Sequence, residues 1–172
     1  GVDGAVGKDR GLQLDRAFHA LLRLGGRNRG LVDKAGATKG NPLYIYAGAA
    51  TDNNAFIFFQ GAWEVLQPKV VDGTFVIKNS SEAIALQSKK DLSRDEQAKI
   101  IAQVTTDWAP ATAKTLAESN LTTAQAADKG NVFILAPNDD TARAIGDTFG
   151  GDKDVKSFVI TGQDAAPASV QY

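Results

Sequence analysis

The hydrophobic pattern changes partway along the segment 41–66. Its first part, Leu43–Tyr46, is a short apolar run of β-forming residues, which predicts a buried strand. Thr51 and Asp52 follow, and both are good N-cap residues for a helix. Behind them, four apolar residues recur at helical spacing and share one face: Phe56, Phe59, Trp63 and Leu66. The segment therefore predicts a strand, a tight loop and a helix that ends near Pro68.

Three further strands are predicted downstream, at Thr74–Lys78, Val132–Ala136 and Val155–Thr161. The run Val132–Ala136 does not alternate, which is typical of a strand buried on both faces of a parallel sheet. Helical patterns separate the strands, and strands joined by helical crossovers pair in parallel with helices on both faces. The sequence therefore predicts an α/β fold of the flavodoxin-like kind, a three-layer αβα sandwich with a mainly parallel sheet.

Local signals predict where the helices begin. Ser93 and Glu96 form a capping-box pattern, and Pro110 suits the first turn of a helix. The predicted helices are Leu12–Leu24, a short turn at Glu82–Leu86, a helix from Ser93 through Val104, one from Pro110 through Ala117 with a continuation at Leu121–Ala127 after a break, and Thr141–Phe149.

Composition narrows the function classes. The 172 residues are 43% hydrophobic and 23% charged with a formal net charge of −1, which gives no basic surface for nucleic acid. The absence of Cys and the single His19 exclude thiolate and multi-histidine metal sites, and no cofactor is expected. No apolar run is long enough to span a bilayer, and no signal peptide is expected in this chain.

Polar residues follow three of the predicted strands: Asp52–Asn54, Asn138–Asp140 and Gln163–Asp164. In a parallel sheet these positions lie at the same carboxyl edge, where open α/β sheets bind ligands. Trp108 lies on the connection that leads to the strand at Val132, so it can reach the same edge. The sequence predicts one rim that combines amides, carboxylates and an indole.

These residue types suit a sugar. Amide and carboxylate groups can pair with vicinal hydroxyls, and an indole offers a flat face to the C–H face of a pyranose. Each feature also has a purely structural explanation. Asp52 can simply cap its helix, and Trp108 can simply pack into the core.

Four motifs, in this order, resemble the C-terminal lobe of the type I periplasmic monosaccharide-binding proteins, with the closest likeness to the xylose-binding and multiple-sugar-binding members. The motifs are Ala49–Phe56, Trp108–Lys114, Ala136–Asp139 and Thr161–Ala165.

The resemblance implies roles for five residues. Asp52 and Asn53 would contact sugar hydroxyls from the first loop. Trp108 would stack on the sugar ring. Asn138 and Asp164 would bind hydroxyls from the ends of the other two strands.

The resemblance also implies a function and a location. The family consists of non-catalytic receptors whose two lobes close around a monosaccharide, such as xylose or glucose, and deliver it to an ABC permease. Such a receptor would be periplasmic or extracellular, with a lipid anchor in a Gram-positive organism, and would bind no nucleic acid.

The resemblance divides the chain in two. Residues 35–172 match part of the sugar-binding lobe, whereas residues 1–34 match poorly and contain one predicted amphipathic helix. The family's N-terminal lobe and the last return strands have no counterpart. We therefore expect weak sugar binding by this chain alone, and a homodimer formed through an exposed sheet edge or apolar surface.

Two other functions share this fold. One is the effector-binding domain of a sugar-responsive transcription regulator, but no helix-turn-helix segment is visible in the sequence. The other is an enzyme on a flavodoxin-like sheet, since a fold alone does not fix a function. The sequence shows no nucleophile–base pair, poised carboxylate pair or metal cluster to support an enzyme.

Overall fold

Five strands form one sheet in which every pair is parallel. A computed structural model describes residues 36–162 and the backbone of residues 11–13. The sheet order is β1-β5-β4-β2-β3. The strands are β1 (Gly11–Gln13), β2 (Asn41–Ile45), β3 (Phe75–Ile77), β4 (Gly130–Leu135) and β5 (Val155–Ile160). The predicted parallel sheet is confirmed.

Helices cover both faces of this sheet. They are α1 (Asn53–Val71), α2 (Ser81–Leu86), α3 (Arg94–Val104), α4 (Pro110–Thr123) and α5 (Asp139–Gly151), with a short 3-10 turn at Ala126–Asp128. Alternate residues of β2 point to opposite faces. Leu43 and Ile45 pack with α1 and α3, whereas Tyr44 and Tyr46 pack with α4 and α5. The three-layer αβα sandwich is therefore confirmed.

Three predicted helix starts are also confirmed, whereas the helix predicted from Thr141 begins two residues earlier, at Asp139. Asp52 is the N-cap of α1 and accepts a hydrogen bond from Asn54 N at 2.9 Å. Ser93 and Glu96 form a complete capping box at the start of α3. Pro110 occupies the first position of α4, where a missing N–H costs nothing.

Two predicted helix ends were wrong. The first helix continues through Pro68 to Val71, because Val70 is buried and the Pro68 carbonyl still accepts from Asp72 N at 3.0 Å. The helix at Pro110 runs without a break to Thr123, because Leu121 is buried against the sheet face that α4 covers.

The predicted helix Leu12–Leu24 was wrong at its start. Leu12 and Gln13 belong to β1, in register with Val159 and Ile160 of β5. An edge strand offers a row of unpaired backbone groups, and pairing with it outweighs a local helical pattern. Residues 14–24 lie outside the described residues.

A side chain completes the hydrogen bonding of β2 beyond the end of its neighbour. Lys78 N donates to Leu43 O at 2.9 Å as the last backbone bond between them. The side chain of Asn79 supplies the next two hydrogen bonds to β2. Its Oδ1 accepts from Ile45 N at 2.9 Å, and its Nδ2 donates to Ile45 O at 2.8 Å. The Asn79 amide acts as the next peptide group of a strand that has already turned away.

The amino edge of the sheet is closed by charged groups. Lys129 pairs with Asp152 at 2.8 Å, and Lys78 pairs with Asp128 at 2.6 Å. The Tyr44 hydroxyl donates to the backbone carbonyl of Asp128 at 3.0 Å. Burial, followed by the charges of Asp128 and Asp152, raises the pKa of Tyr44 to about 12. The Lys129–Asp152 pair thus joins the segments that precede β4 and β5.

Candidate functional site

The carboxyl end of β2 is extended by contact with the connection after α3. Ala47 forms a parallel bridge with Thr105. Ala47 N donates to Val104 O at 3.0 Å, and Thr106 N donates to Ala47 O at 2.8 Å. Residues 105–109 therefore lie directly beside the end of β2, at the edge where the sequence predicted a site.

Trp108 lies against the backbone of Gly48. A Cβ built on Gly48 would fall 2.1 Å from Cζ2, 2.3 Å from Cε2 and 2.4 Å from Cη2 of the indole. Phe58 of α1 meets the indole edge-on, with ring centroids 6.2 Å apart at 88°. Trp108 is half-buried. The structure therefore places this tryptophan at the predicted rim, with part of its surface exposed.

The backbone that carries the indole is in an uncommon conformation. Asp107 and Trp108 both have left-handed φ angles, of 52° and 59°. Such a conformation costs a bulky residue roughly 1–2 kcal/mol, and residues held this way cluster at functional sites. Thr105 supports the turn, since its Oγ1 lies 2.8 Å from Gly48 O and 2.9 Å from Asp107 Oδ1.

Asp52 uses its two carboxylate oxygens for different purposes. Oδ1 accepts from Asn54 N at 2.9 Å and caps α1. Oδ2 accepts from the Trp108 indole N–H at 3.1 Å. The capping explanation for Asp52 is thus correct, and the same side chain also ties the helix start to the rim tryptophan.

Asn53 is exposed at the first position of α1 and faces the start of α3. Its Oδ1 accepts from Arg94 Nη1 at 2.8 Å. The guanidinium of Arg94 also lies over the ring of Phe56, 3.3 Å from the ring centroid. Sequence reasoning missed Arg94, because nothing in the local pattern shows that the first turns of α1 and α3 meet.

Asn138 follows β4 and is the N-cap of α5. Its Oδ1 accepts from Thr141 N at 3.2 Å and from the Thr141 hydroxyl. No hydrogen bond within residues 36–162 uses its Nδ2. The residue therefore has a structural role at Oδ1, while its Nδ2 donates to no described residue.

The end of β5 is tied to the end of β4. Thr161 Oγ1 accepts from Ala136 N at 2.8 Å and donates to Ala136 O at 3.0 Å. Gly162 lies so close to Asp139 that an added Cβ would fall 2.3 Å from its Oδ1. Asp164, predicted to bind a hydroxyl, lies outside the described residues.

A small hollow at this edge connects the strand ends. It is lined by residues that follow β2, residues of α1 and residues at and after the end of β4, including Gly48, Phe58 and Pro137. Pro137 directly precedes Asn138, and Gly48 contacts Trp108, so Trp108 and Asn138 lie near the carboxyl ends of the neighbouring strands β2 and β4. Asp52, Asn53, Trp108 and Asn138 are together called the rim.

The rim offers hydrogen-bonding groups and an aromatic surface.

Across residues 36–162, no group of three or more His, Cys, Asp or Glu residues is placed to hold a metal ion. In that same range, no helix has the length and apolar character needed to cross a membrane.

No protein-family model matches the chain. A carbohydrate transporter solute-binding protein from Chloroflexus aurantiacus, solved in complex with D-glucose, is 62% identical with a TM-score of 0.82. The match covers 95% of this chain and 47% of that protein. The chain is thus similar, in fold and in sequence, to one lobe of a type I sugar-binding protein.

A second relative agrees with this result. The multiple sugar-binding periplasmic receptor ChvE of Rhizobium radiobacter is 28% identical over 151 residues, which is 82% of this chain and 37% of that receptor. The chain thus spans about half the length of the solved relative and 37% of the receptor. Both relatives are transport receptors, so the predicted family is confirmed and the regulator alternative is not favoured.

Proposed function

We propose that the chain recognises a monosaccharide at its rim, without catalysis, as part of the solute-binding component of a sugar ABC transporter. One observation carries the proposal. The rim presents a fixed indole beside polar side chains in a chain that is 62% identical to a protein solved with D-glucose. A transcription-regulator role has no comparable support.

The chemistry of the rim suits a pyranose. Such a ring carries hydroxyls around its circumference and C–H groups on its faces. Trp108 supplies an aromatic surface for the C–H face, while Asn53 and the Nδ2 group of Asn138 can meet hydroxyls. Asp164 would add an acceptor from the segment that follows β5 in the sequence. D-Glucose and D-xylose both fit this scheme, because they differ only in an exocyclic group at the edge of the ring.

The two relatives support a proposal for the location and the partner of the complete receptor. We place the working receptor outside the cytoplasm, where it would hand the sugar to an ABC permease. A lipid anchor would hold it at the surface if the source is Gram-positive. These assignments concern a receptor about twice the length of this chain, since the match covers 47% of the solved relative.

The chain alone should bind sugar weakly. A sugar clamped between two lobes owes its affinity to contacts from both, and each lost contact at about 1 kcal/mol weakens binding about fivefold. Three lost contacts would therefore weaken binding roughly a hundredfold.

The chain should also self-associate. β3 is an edge strand with Val76 40% exposed, and Ile57 beside the rim is 58% exposed. Exposed edges and apolar surface favour pairing with a second copy. Light scattering of the pure chain should give a mass above the monomer. A strict monomer at high concentration would contradict this expectation.

Weak binding can be measured by NMR. We expect addition of D-glucose at tens of millimolar, within the weak range of about 1 mM and above, to shift the Trp108 indole and Asn138 side-chain signals. Sorbitol, an acyclic polyol without a pyranose face, serves as the ligand control. The Trp108→Ala variant should lose the response, whereas Trp63→Phe, a change at a buried core residue, should retain it.

A chimera distinguishes two explanations for weak binding: the absence of the second lobe, and an incorrect proposed function. It joins this chain to the part of the Chloroflexus aurantiacus protein that lies outside the match. Titration calorimetry with glucose, xylose, galactose and arabinose should then show binding far tighter than that of the chain alone. If neither the chain nor a folded chimera binds any of the four sugars, the proposed function is wrong.

A further inference from the structure

We propose that Gly48 and Asp52 are positioning residues that fix Trp108 so that one face of its indole is presented to a sugar. This inference rests on the proposed function, because it explains how the rim would select its ligand. It concerns residues that touch Trp108 and act through it.

Gly48 sets the depth of the indole. The three distances from its virtual Cβ, 2.1, 2.3 and 2.4 Å, run to consecutive atoms of the six-membered ring. A point beside the ring edge could not be nearly equidistant from three consecutive atoms, so the position lies over the ring face. Any side chain at residue 48 would therefore push the indole outward, and only glycine allows this close approach. One face of the indole is thereby covered by backbone.

Asp52 sets the direction of the indole. Its Oδ2 engages the indole N–H at 3.1 Å, while its Oδ1 remains committed to Asn54 N at 2.9 Å. Because indole carries a single N–H and no acceptor, the engaged ring can offer a ligand only its π surface. The ring thus acts on the apolar face of a sugar and leaves hydroxyl recognition to the amides.

The backbone of the turn gives a third constraint. Left-handed φ angles at Asp107 and Trp108 are retained although they cost free energy, and Thr105 links the turn to Gly48 O. Trp108 is therefore constrained at one face of its indole, at its indole nitrogen and at its backbone. A ring fixed in this way loses little conformational entropy on binding, which favours affinity.

The selectivity that follows concerns the stereochemistry of the sugar. A pyranose whose substituents are all equatorial presents an uninterrupted C–H face to the exposed side of the indole. An axial hydroxyl on that face would meet the ring and leave a polar group without a partner, which is penalised. By fixing Trp108, Gly48 and Asp52 therefore favour binding of all-equatorial pyranoses over binding of pyranoses with an axial hydroxyl on the stacked face.

Two variants test the proposal with matched controls. Gly48→Ala adds one methyl group under the ring, and its control is Gly151→Ala, where a Cβ meets nothing within 4 Å. Asp52→Asn keeps a good N-cap but has one acceptor oxygen for two donors, so the indole contact is lost. Its control is Asp147→Asn on the exposed face of α5.

The first readout does not need a ligand. The chain has two tryptophans, so the indole N–H region of an NMR spectrum contains two signals, and Trp63→Phe assigns them. Gly48→Ala and Asp52→Asn should each move the Trp108 signal and increase quenching of its fluorescence by acrylamide. The controls should leave both unchanged. Circular dichroism confirms that each variant is folded.

The second readout is binding of D-glucose to the same variants by NMR titration. Loss of an aromatic contact worth about 0.5–1.5 kcal/mol predicts roughly two- to tenfold weaker binding. An unmoved indole in both variants would overturn the proposal, as would a moved indole with unchanged affinity. If the parent chain and the chimera bind no sugar, the proposed function fails, and the indole signals still decide whether the two residues position Trp108.

Discussion

Replacing Asn79 with alanine should destabilise the chain far more than an ordinary surface substitution. The Asn79 amide satisfies both the N–H and the C=O of Ile45, a residue that is 1% exposed. Each buried polar group left without a partner costs about 1–3 kcal/mol. Because Asn79 itself is half-buried, water can reach part of the vacated site, so we expect a total loss of about 2–4 kcal/mol in the free energy of unfolding.

Urea unfolding followed by circular dichroism measures this loss. Thermal unfolding should show a fall of roughly 5–15 °C in Tm for a chain of this length. The matched control is Asn131→Ala, an exposed asparagine whose Oδ1 accepts from Ser157 Oγ at 2.8 Å, and it should change stability by about 0.5 kcal/mol or less. A cost for Asn79→Ala no larger than that of the control would refute the idea that this amide substitutes for a strand.

Two further predictions concern pH. The Lys89 hydrogen bond, followed by the backbone bond from Ser93, lowers the pKa of Glu96 to about 2 from 4.5, so its stabilisation should be present above pH 4.5 and lost as pH falls towards 2. The Glu96→Gln variant keeps a capping-box residue that does not titrate. Its urea midpoint should therefore fall less steeply with decreasing pH than the midpoint of the parent chain. Burial raises the pKa of Tyr44 from 10 to about 12. The contribution of its protonated hydroxyl to the free energy of unfolding should therefore be complete below pH 10 and lost between pH 10 and 12. Tyr44→Phe should show a shallower alkaline loss than the parent, and equal slopes would contradict the assignment.

Signals carried within a few residues predicted most of the fold. Asp52, Ser93 and Pro110 mark helix starts through local backbone chemistry, and all three do so in the structure. The apolar runs of β2, β4 and β5 likewise predicted buried strands. Alternation of strands and helices then restricted the topology to a parallel sheet.

Features that depend on contacts between residues far apart in the sequence could not be predicted. The role of Gly48 depends on Trp108, which lies 60 positions further along the chain, and a glycine after a strand is usually only part of a turn. Arg94 meets Asn53 because α1 and α3 pack side by side. Leu12 and Gln13 were assigned to the helix Leu12–Leu24 because the local pattern does not show that they pair with Val159 and Ile160 of β5.

The candidate site was predicted in part. The structure brings Asp52 and Trp108 into direct contact, and it places Asn138 at the neighbouring strand end. Sequence reasoning gave Asp52 either a capping role or a ligand role, whereas its two oxygens let it cap the helix and hold the indole together. Sugar contacts at Asp52, Asn53, Trp108, Asn138 and Asp164 stay predictions.

The strand order determines when the sheet can form during synthesis. β2 pairs first with β3, whose residues lie about 34 positions away, but its other neighbour is β4, and the bond from Asn41 Nδ2 to Asn131 O spans 90 positions. Closing so long a loop is slow, and contacts of this kind lower folding rates. Until β4 emerges from the ribosome, the unit β2-α1-β3 exposes the open edge of an apolar strand. The nascent chain should therefore be most prone to aggregation in that interval, and most dependent on chaperones.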